Sequence, residues 1–195
     1  MPKLNKSMKA ILEWVEVIAI SVVLALFINL FVMQPIKVDG ESMLPTLHDN
    51  DFVIISRLGR TLNLKVDYGD IVVIDKSIDT AKRTFLDNIW EEIREISIFN
   101  RFENRNLLIK RVIGKPGDTI EIRDGKLYRN GELLNEPYLK DPVMNEGDKT
   151  FYVPEGHVFV MGDNRNNSMD SRMIGALPME NIKGVLAVDI TALFR

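Results

Sequence analysis

"LLIKRVIGKPGD", Leu107 to Asp118, is an apolar run that ends in a Pro-Gly turn and carries a lysine and an arginine at its centre. The aliphatic and β-branched residues predict a buried strand. Side chains on a strand alternate between its two faces, so Lys110 and Arg111 point in opposite directions and at least one can point inward. A lysine is almost never fully buried unless it has a partner or a use. The strand therefore indicates Lys110 as a candidate functional residue.

Short β-branched runs precede and follow this strand along the chain. They are Phe52–Ser56, Asp70–Asp75, Thr119–Arg123, Lys126–Asn130 and His157–Asp163. The dipeptides Asp124-Gly125 and Asn130-Gly131 are typical of tight hairpin turns. The sequence therefore predicts a mainly β, antiparallel domain.

One stretch, residues 84–106, differs from this β pattern. Its apolar residues recur at helical spacing, and Thr84 with Asp87 forms a weak capping box. We predict a small helical insertion between two strands over 84–106. An ordinary packing helix and a segment that touches the membrane interface through Trp90 both fit this pattern.

The N-terminal region contains "VIAISVVLALFINLFVM", Val17 to Met33, which has no charge over 17 residues. With Trp14–Glu16 it makes about 30 Å of helix, the thickness of a bilayer core. A cleaved signal peptide usually has a shorter apolar region and a small-residue cleavage signal, which this run lacks. A buried core helix is the other alternative. We predict a membrane anchor over 14–33 behind a short tail, 1–13.

Charge predicts the orientation of this anchor. Lys3, Lys6 and Lys9 precede the span, and cytoplasmic flanks are enriched in lysine and arginine. The tail is therefore expected in the cytoplasm, and the domain over 34–195 on the outer face of the membrane.

The composition excludes several classes of function. The formal net charge of -3 argues against a nucleic-acid partner. Without cysteine, the chain has no disulfide, no thiolate metal site and no cysteine nucleophile. Two histidines are too few for a histidine-based metal site, and we expect neither a metal nor a cofactor.

The segment "VDGESMLPTL", Val38 to Leu47, places Ser42 in a tight, irregular loop between a glycine and a proline. A serine nucleophile needs an adjacent base, and neither histidine lies in a triad motif. A lysine can serve as that base when burial disfavours its ammonium form. Ser42 and Lys110 form a candidate Ser-Lys pair, although spacing alone leaves other pairs open.

A third segment, "GDNRNNSMDSR", Gly162 to Arg172, is dense in turn-forming residues directly after an apolar strand. Its polar side chains can satisfy one another and buried backbone groups. By itself it is equally typical of an ordinary polar loop with an ion pair from Asp170 to Arg172 or Arg111.

Four segments, taken in order, resemble the conserved boxes of the type I signal peptidases. They are Glu41–Thr46, Gly69–Ile74, Lys110–Asp118 and Gly162–Arg172. With the N-terminal anchor, the resemblance covers nearly the whole chain. The single anchor and the small size resemble the short, Gram-positive-type members. The resemblance implies a β-rich signal-peptidase catalytic domain without a cofactor.

By motif position, the resemblance implies Ser42 as the nucleophile and Lys110 as the general base. Ser168 is expected to hydrogen-bond the Lys110 amine and to orient it. Asp170 and Arg172 are expected to form a structural pair that supports the site.

The same resemblance implies that Asp163 helps to hold the last segment and that the Ser42 backbone N–H forms the oxyanion hole. Some members add a serine hydroxyl two residues before the nucleophile. Gly40 occupies that place here, so the second donor stays open. Losing one such donor can cost about 3 kcal/mol, so we expect a substitute.

The implied function is removal of signal peptides from exported precursor proteins at the outer face of the membrane, so the expected partners are these precursors and the lipid bilayer. The family reads small residues at the -1 and -3 positions, and we predict Ile36, Val38 and Ile109 as pocket walls. A self-cleaving repressor-type Ser-Lys peptidase is an alternative, but it would carry a DNA-binding domain at its N-terminus. A membrane-anchored domain that binds precursors without cutting them is the other.

Overall fold

The computed structural model describes residues 6–58, 66–76, 106–141 and 143–194. Within these ranges every strand pairing is antiparallel. The helices are α1 (Lys6–Phe27) and α2 (Ser171–Ile174). The strands are β1 (Met33–Lys37), β2 (Phe52–Ser56), β3 (Ile71–Asp75), β4 (Leu107–Gly114), β5 (Thr119–Arg123), β6 (Lys126–Arg129), β7 (Glu132–Leu133), β8 (Lys149–Tyr152), β9 (His157–Met161), β10 (Leu177–Pro178) and β11 (Ile182–Asp189).

The strands form two sheets. The larger has seven strands in the order β1-β2-β11-β3-β4-β9-β10, and the smaller has four in the order β7-β6-β5-β8. Strand β4 lies inside the larger sheet, and the turn after Gly114 leads directly into β5 of the smaller one. The predicted mainly β, antiparallel fold with an N-terminal apolar helix is confirmed.

Two hairpin turns shape the smaller sheet. Asp124-Gly125 joins β5 to β6, and Asn130-Gly131 joins β6 to β7. All four residues have positive φ, between 51° and 82°, which a two-residue turn of this hand requires. Aspartate, asparagine and glycine tolerate that conformation best, so the sequence determines both turns locally.

Buried aliphatic side chains form three clusters. One packs on the larger sheet around Val72, Val112 and Val160, and a second fills the space between the sheets around Ile120 and Phe159. The third cluster lies beside β1 and comprises Val38, Met43, Leu47, Val53 and Ile71. This third cluster supports the loop that carries Ser42, and we call it the loop cluster.

Helix α1 is exposed along its length, since every described side chain from Met8 to Ile28 faces solvent. Its segment Met8–Phe27 has 20 residues and a mean hydropathy of 2.3, which is long and apolar enough to cross a membrane. An exposed apolar helix of this length suggests membrane anchoring. A π-helical turn, Ile28–Val32, connects it to β1.

The predicted anchor extends one residue into β1. The anchor over 14–33 overlaps α1 and the π-helical turn, whereas Met33 already belongs to β1, where it pairs with Ser56. The predicted helical insertion over 84–106 lies outside the described residues, apart from Asn106 at its end.

Candidate active site

Ser42 lies in the loop that joins β1 to β2. The neck of this loop is closed by two backbone hydrogen bonds, Val38 N–H to Asp51 O at 2.8 Å and Asn50 N–H to Val38 O at 3.0 Å. Met43, next to Ser42, is buried in the loop cluster. The loop is therefore fixed at its neck and at the residue beside the candidate nucleophile.

Lys110 lies on β4, paired with Val72 of β3, and only 3% of its surface is exposed. Its Nζ donates to Ser42 Oγ at 2.6 Å and to the Ile109 carbonyl at 2.9 Å. Burial lowers the pKa of Lys110 from the ordinary 10.5 to about 8, while the charges of Asp170 and Asp163 partly oppose this shift. A neutral amine next to Ser42 is therefore accessible near physiological pH.

Arg111 is the next residue on β4 and has different surroundings. Its Nε and Nη2 bind the two carboxylate oxygens of Asp163 at 2.9 and 2.6 Å. Its Nη1 donates to the Gly69 carbonyl at 2.8 Å, and its guanidinium lies 3.9 Å from the centre of the Tyr138 ring. The Arg111 guanidinium keeps its charge and holds Asp163 at the edge of the site.

The segment from Gly162 to Arg172, which we call the site loop, packs tightly against the nucleophile loop. A methyl group on Gly162 would overlap the Ser168 side chain and the Ser42 carbonyl oxygen. Only glycine permits this approach. The close contact brings the site loop against the backbone of the candidate nucleophile.

Asp170 and Arg172 form a buried ion pair within the site loop. Arg172 Nε and Nη2 each donate to an Asp170 oxygen at 2.8 Å, and Arg172 Nη1 reaches Glu146 at 2.6 Å. Burial alone would raise the pKa of the Asp170 carboxyl, but Arg172 and the Gly162 N–H lower it. Asp170 therefore stays ionised and caps α2.

Ser168 does not make the hydrogen bond that the sequence predicted. Within the described residues its Oγ is buried and has no hydrogen-bond partner with good geometry. The side chain lies against Gly162, and its hydroxyl is near enough to Asp170 to contribute to the lowered pKa of that carboxyl. The predicted Ser168–Lys110 hydrogen bond is thus absent here, because the Lys110 amine is turned toward Ser42 and the Ile109 carbonyl.

The three residues predicted as pocket walls lie in one place. Val38 belongs to the loop cluster and is 3% exposed, while Ile36 and Ile109 pack against that cluster and stay partly exposed. Ile109 directly precedes Lys110. The structure therefore places an apolar surface beside the Ser42–Lys110 pair.

Two backbone N–H groups near Ser42 differ in their hydrogen bonding. The Gly40 N–H donates to Asp49 Oδ1 at 2.9 Å, at a left-handed φ of 89°. Within the described part of the chain, the Ser42 N–H donates no hydrogen bond. Of these two groups, the Ser42 N–H is thus the one available to a negatively charged oxygen at the site.

Sequence reasoning did not single out several residues that shape this site. Thr46 and Asn164 lie inside the quoted segments, and their polar side chains next to Ser42 and Asp163 were a usable signal. Glu136 and Tyr138 come from the connection between β7 and β8. Glu136 binds Arg165 through both carboxylate oxygens, at 2.6 and 2.8 Å. Nothing in the sequence indicates this pairing across 29 residues.

Comparison with known proteins identifies the family. A family model described as "Signal peptidase, peptidase S26" matches residues 11–190. The chain belongs to this family. It is therefore a serine-type signal peptidase. The alternative of a self-cleaving repressor-type peptidase is thereby excluded.

Two curated relatives illustrate the similarity within the signal peptidase family. The signal peptidase I S of Bacillus subtilis (strain 168) is 37% identical over 187 residues, which cover 90% of this chain and 86% of the relative. The signal peptidase I of Bacillus licheniformis is 36% identical over 192 residues, covering 93% and 89%. A solved signal peptidase I from Enterococcus faecalis V583 has a TM-score of 0.44 at 32% identity, covering 63% of this chain and 97% of the other.

Proposed function

We propose that this signal peptidase removes signal peptides from exported precursors with Ser42 as nucleophile and Lys110 as general base. The observation that supports this most directly is the 2.6 Å contact from Lys110 Nζ to Ser42 Oγ, made by a lysine whose pKa burial lowers to about 8. A base with a pKa near the working pH combines a usable neutral fraction with a strong enough pull on the proton.

The reaction follows from this geometry. The neutral Lys110 amine takes the hydroxyl proton as Ser42 Oγ attacks the scissile carbonyl carbon, and the Ser42 N–H stabilises the oxyanion that forms. The resulting ammonium gives its proton to the leaving amine, so that the mature protein departs and an acyl-enzyme remains. Lys110 then takes a proton from water as the water oxygen attacks the ester carbonyl. When the ester bond breaks, the Lys110 ammonium returns this proton to Ser42 Oγ, and the signal peptide leaves as a carboxylic acid.

The site loop supports this pair. Asp170, held by Arg172, fixes the loop through the Gly162 N–H at 3.0 Å, and Asp163 ties it to Arg111 of β4. Ser168 lies against Gly162 in this loop, and among the described residues its hydroxyl makes no hydrogen bond to Lys110. We propose that this hydroxyl orients the Lys110 amine once the proton of Ser42 has moved to it.

Substrate selection is proposed to use the apolar surface formed by Ile36, Val38 and Ile109. Side chains larger than alanine at the -1 and -3 positions would collide with this surface. Strand β9 pairs with β4 only from Arg111 onward, so within the described residues the stretch Leu107–Lys110 has one open edge. An extended peptide can add to such an edge and bring its carbonyl to Ser42.

The proposed location follows from the N-terminal helix. Residues 1–13 lie in the cytoplasm, the apolar part of α1 anchors the chain, and residues 34–195 lie on the outer face, as Lys3, Lys6 and Lys9 ahead of the apolar span indicate. With β1 starting directly after the π-helical turn, the site stays near the membrane surface, where precursors carry their cleavage sites. Protease added to intact protoplasts should digest the domain, and complete protection until lysis would reverse this orientation.

The proposal is tested by incubating a precursor with the full chain in detergent. Wild type should release the mature protein, Ser42→Ala should not, and Ser56→Ala should keep wild-type activity. Ser56→Ala is a suitable control because it is also a serine-to-alanine substitution. Ser56 lies at the end of β2 that is distant from the nucleophile loop. Cleavage by Ser42→Ala at the wild-type rate would refute the assignment.

A further inference from the structure

Both carbonyl groups that flank the candidate nucleophile are held by one residue. Asn164 Nδ2 donates to Glu41 O at 3.1 Å, and the Asn164 backbone N–H donates to Ser42 O at 3.0 Å. The first of these contacts acts on the peptide unit that contains the Ser42 N–H. The proposed oxyanion donor is therefore one half of a peptide whose other half is bound by Asn164.

Peptide geometry converts this contact into an orientation. The Glu41–Ser42 peptide is trans, so its C=O and N–H point in opposite directions in one plane. A donor fixed on the carbonyl side sets the direction of the N–H on the other side. The Ser42 N–H itself donates no hydrogen bond among the described residues. The Glu41 carbonyl also accepts from the Leu44 N–H at 3.2 Å within the nucleophile loop, so Asn164 is the donor that ties this peptide to the site loop.

Asn164 is itself held from both sides along the chain. Asp163 precedes it and binds Arg111 and the Thr46 hydroxyl. Arg165 follows it, donates from Nε to the Gly162 carbonyl at 3.0 Å and pairs with Glu136. The buried neighbours on each side leave the Asn164 amide little freedom to turn away from Glu41.

We propose that Asn164 is a positioning residue for the oxyanion hole, acting through its side-chain amide on the Glu41–Ser42 peptide. This inference rests on the proposed Ser42 chemistry. It also bears on the missing second donor, since Gly40 offers no hydroxyl and its N–H is bound to Asp49. Because the Ser42 N–H is the proposed oxyanion donor, its direction affects the rate.

The expected effect is on the transition state. Removing an oxyanion donor outright costs about 10²- to 10³-fold in kcat. Losing the Asn164 amide leaves the donor in place and the Glu41 carbonyl still bound by the Leu44 N–H at 3.2 Å, so we expect a smaller loss, roughly 10-fold in kcat, with little change in KM. Asn164→Leu adds no charge near Lys110, so in this variant the acid limb of the pH–rate profile should stay where it is.

Two substitutions remove the amide donor in different ways. Asn164→Leu keeps the approximate side-chain size and removes the amide. Asn164→Asp keeps the side-chain shape but replaces the amide donor by a carboxylate. Asn166→Leu is the matched control, because Asn166 Nδ2 also binds a backbone carbonyl, that of Val143 at 3.2 Å, away from the nucleophile loop. Melting temperatures show whether each variant folds, and Asn164→Asp carries the test if Asn164→Leu does not.

The deciding measurement compares two ligands. A peptide aldehyde reacts with Ser42 Oγ to give a hemiacetal, whose oxygen occupies the oxyanion position. An uncleavable peptide of the same sequence binds without forming this group. Both Asn164 variants should bind the aldehyde more weakly by about the factor lost in kcat, with unchanged binding of the uncleavable peptide.

Four outcomes would overturn the inference. Wild-type kcat in both Asn164 variants, equal loss of affinity for both ligands, or an equal effect of Asn166→Leu would each refute a role in the oxyanion hole. A wild-type enzyme that cleaves no precursor would instead refute the proposed function, and the inference with it. Activity in wild type and none in Ser42→Ala separates these cases.

Discussion

Lys110 and Arg111 are neighbours on β4, and their surroundings could hardly differ more. Arg111 has a bidentate carboxylate, a backbone carbonyl and an aromatic ring around its guanidinium. Lys110 is more deeply buried, and among the described residues it has no carboxylate within salt-bridge distance and donates only to a hydroxyl and a carbonyl. One face of β4 thus carries Arg111, whose charge is balanced by a bound carboxylate. The other face carries Lys110, which has only neutral hydrogen-bond partners.

This difference explains the two chemical roles. A buried cation with a bound carboxylate keeps its proton and serves as an anchor. A buried lysine without such a partner favours its neutral form, which is the form that can accept a proton. The nearby carboxylates oppose this only in part, because Asp163 is paired with Arg111 and Asp170 with Arg172.

The largest expected effect on turnover comes from replacing the proposed base, Lys110, by arginine, the residue type of its neighbour Arg111. Lys110→Arg keeps the charge but stays protonated at any working pH, so it cannot take the proton from Ser42. We expect turnover of a precursor to fall by more than about 10³-fold, in line with the loss of a general base and its alignment. Single-turnover cleavage rates measure this loss.

The reciprocal substitution is the control. Arg111→Lys keeps the charge and loses only the bidentate geometry, so it should reduce the rate by about 10-fold or less. If Lys110→Arg retained a large share of wild-type turnover, lysine could not be the base, and the two faces of β4 would not differ in function.

Lys110 could be singled out from sequence because a charged side chain is unfavourable inside an apolar, buried strand. Ser42 and the site loop were assigned through the resemblance of four ordered segments to those of the signal peptidases. The hairpin turns at Asp124 and Asn130 were predictable because their φ angles are a local property. In each case the signal lies in a short stretch of sequence.

The parts that escaped prediction depend on contacts between distant segments. Glu136 reaches Arg165 from a connection without a periodic pattern, and Asn164 reaches Glu41 across 123 residues. The Ser168 hydroxyl was expected on Lys110, yet its direction is set by the close approach of Gly162. Such side-chain orientations follow from the packing of two loops, which a single sequence does not specify.

Ser168 gives the intermediate effect, and it sharpens the comparison because its proposed role is to orient the amine of Lys110 and not the guanidinium of Arg111. If it orients the Lys110 amine during the reaction, Ser168→Ala should lower the rate by about 10²-fold. A buried hydroxyl without a partner costs free energy, so the same variant should be as stable as wild type or slightly more stable. Rate and melting temperature should therefore move in opposite senses.

A purely structural Ser168 gives another pattern. The rate of Ser168→Ala would then stay near that of wild type, and any loss would follow a lower melting temperature. Ser56→Ala, on β2, provides the baseline for a serine-to-alanine change distant from the site.

The smallest effect is on stability, and its sign follows from the lowered pKa of Lys110. Below pH 8 this lysine is protonated both folded and unfolded, so folding buries a charge. A shift from 10.5 to about 8 corresponds to about 3 kcal/mol in favour of unfolding. As the pH rises from 8 towards 10.5, the folded lysine loses its proton while the unfolded one keeps it, and the cost disappears.

Lys110→Met removes this cost at every pH. At pH 6.5 we expect the inactive Lys110→Met protein to have a higher free energy of unfolding than wild type, by at most about 3 kcal/mol. At pH 9.5 the difference should fall to less than half, and for the exposed lysine in Lys126→Met it should be small at both pH values. Urea denaturation at the two pH values measures these differences. If Lys110 were a paired cation like Arg111, methionine would strand a buried carboxylate and Lys110→Met would be the less stable protein at pH 6.5. The sign of one difference in unfolding free energy therefore decides which of the two neighbours Lys110 resembles.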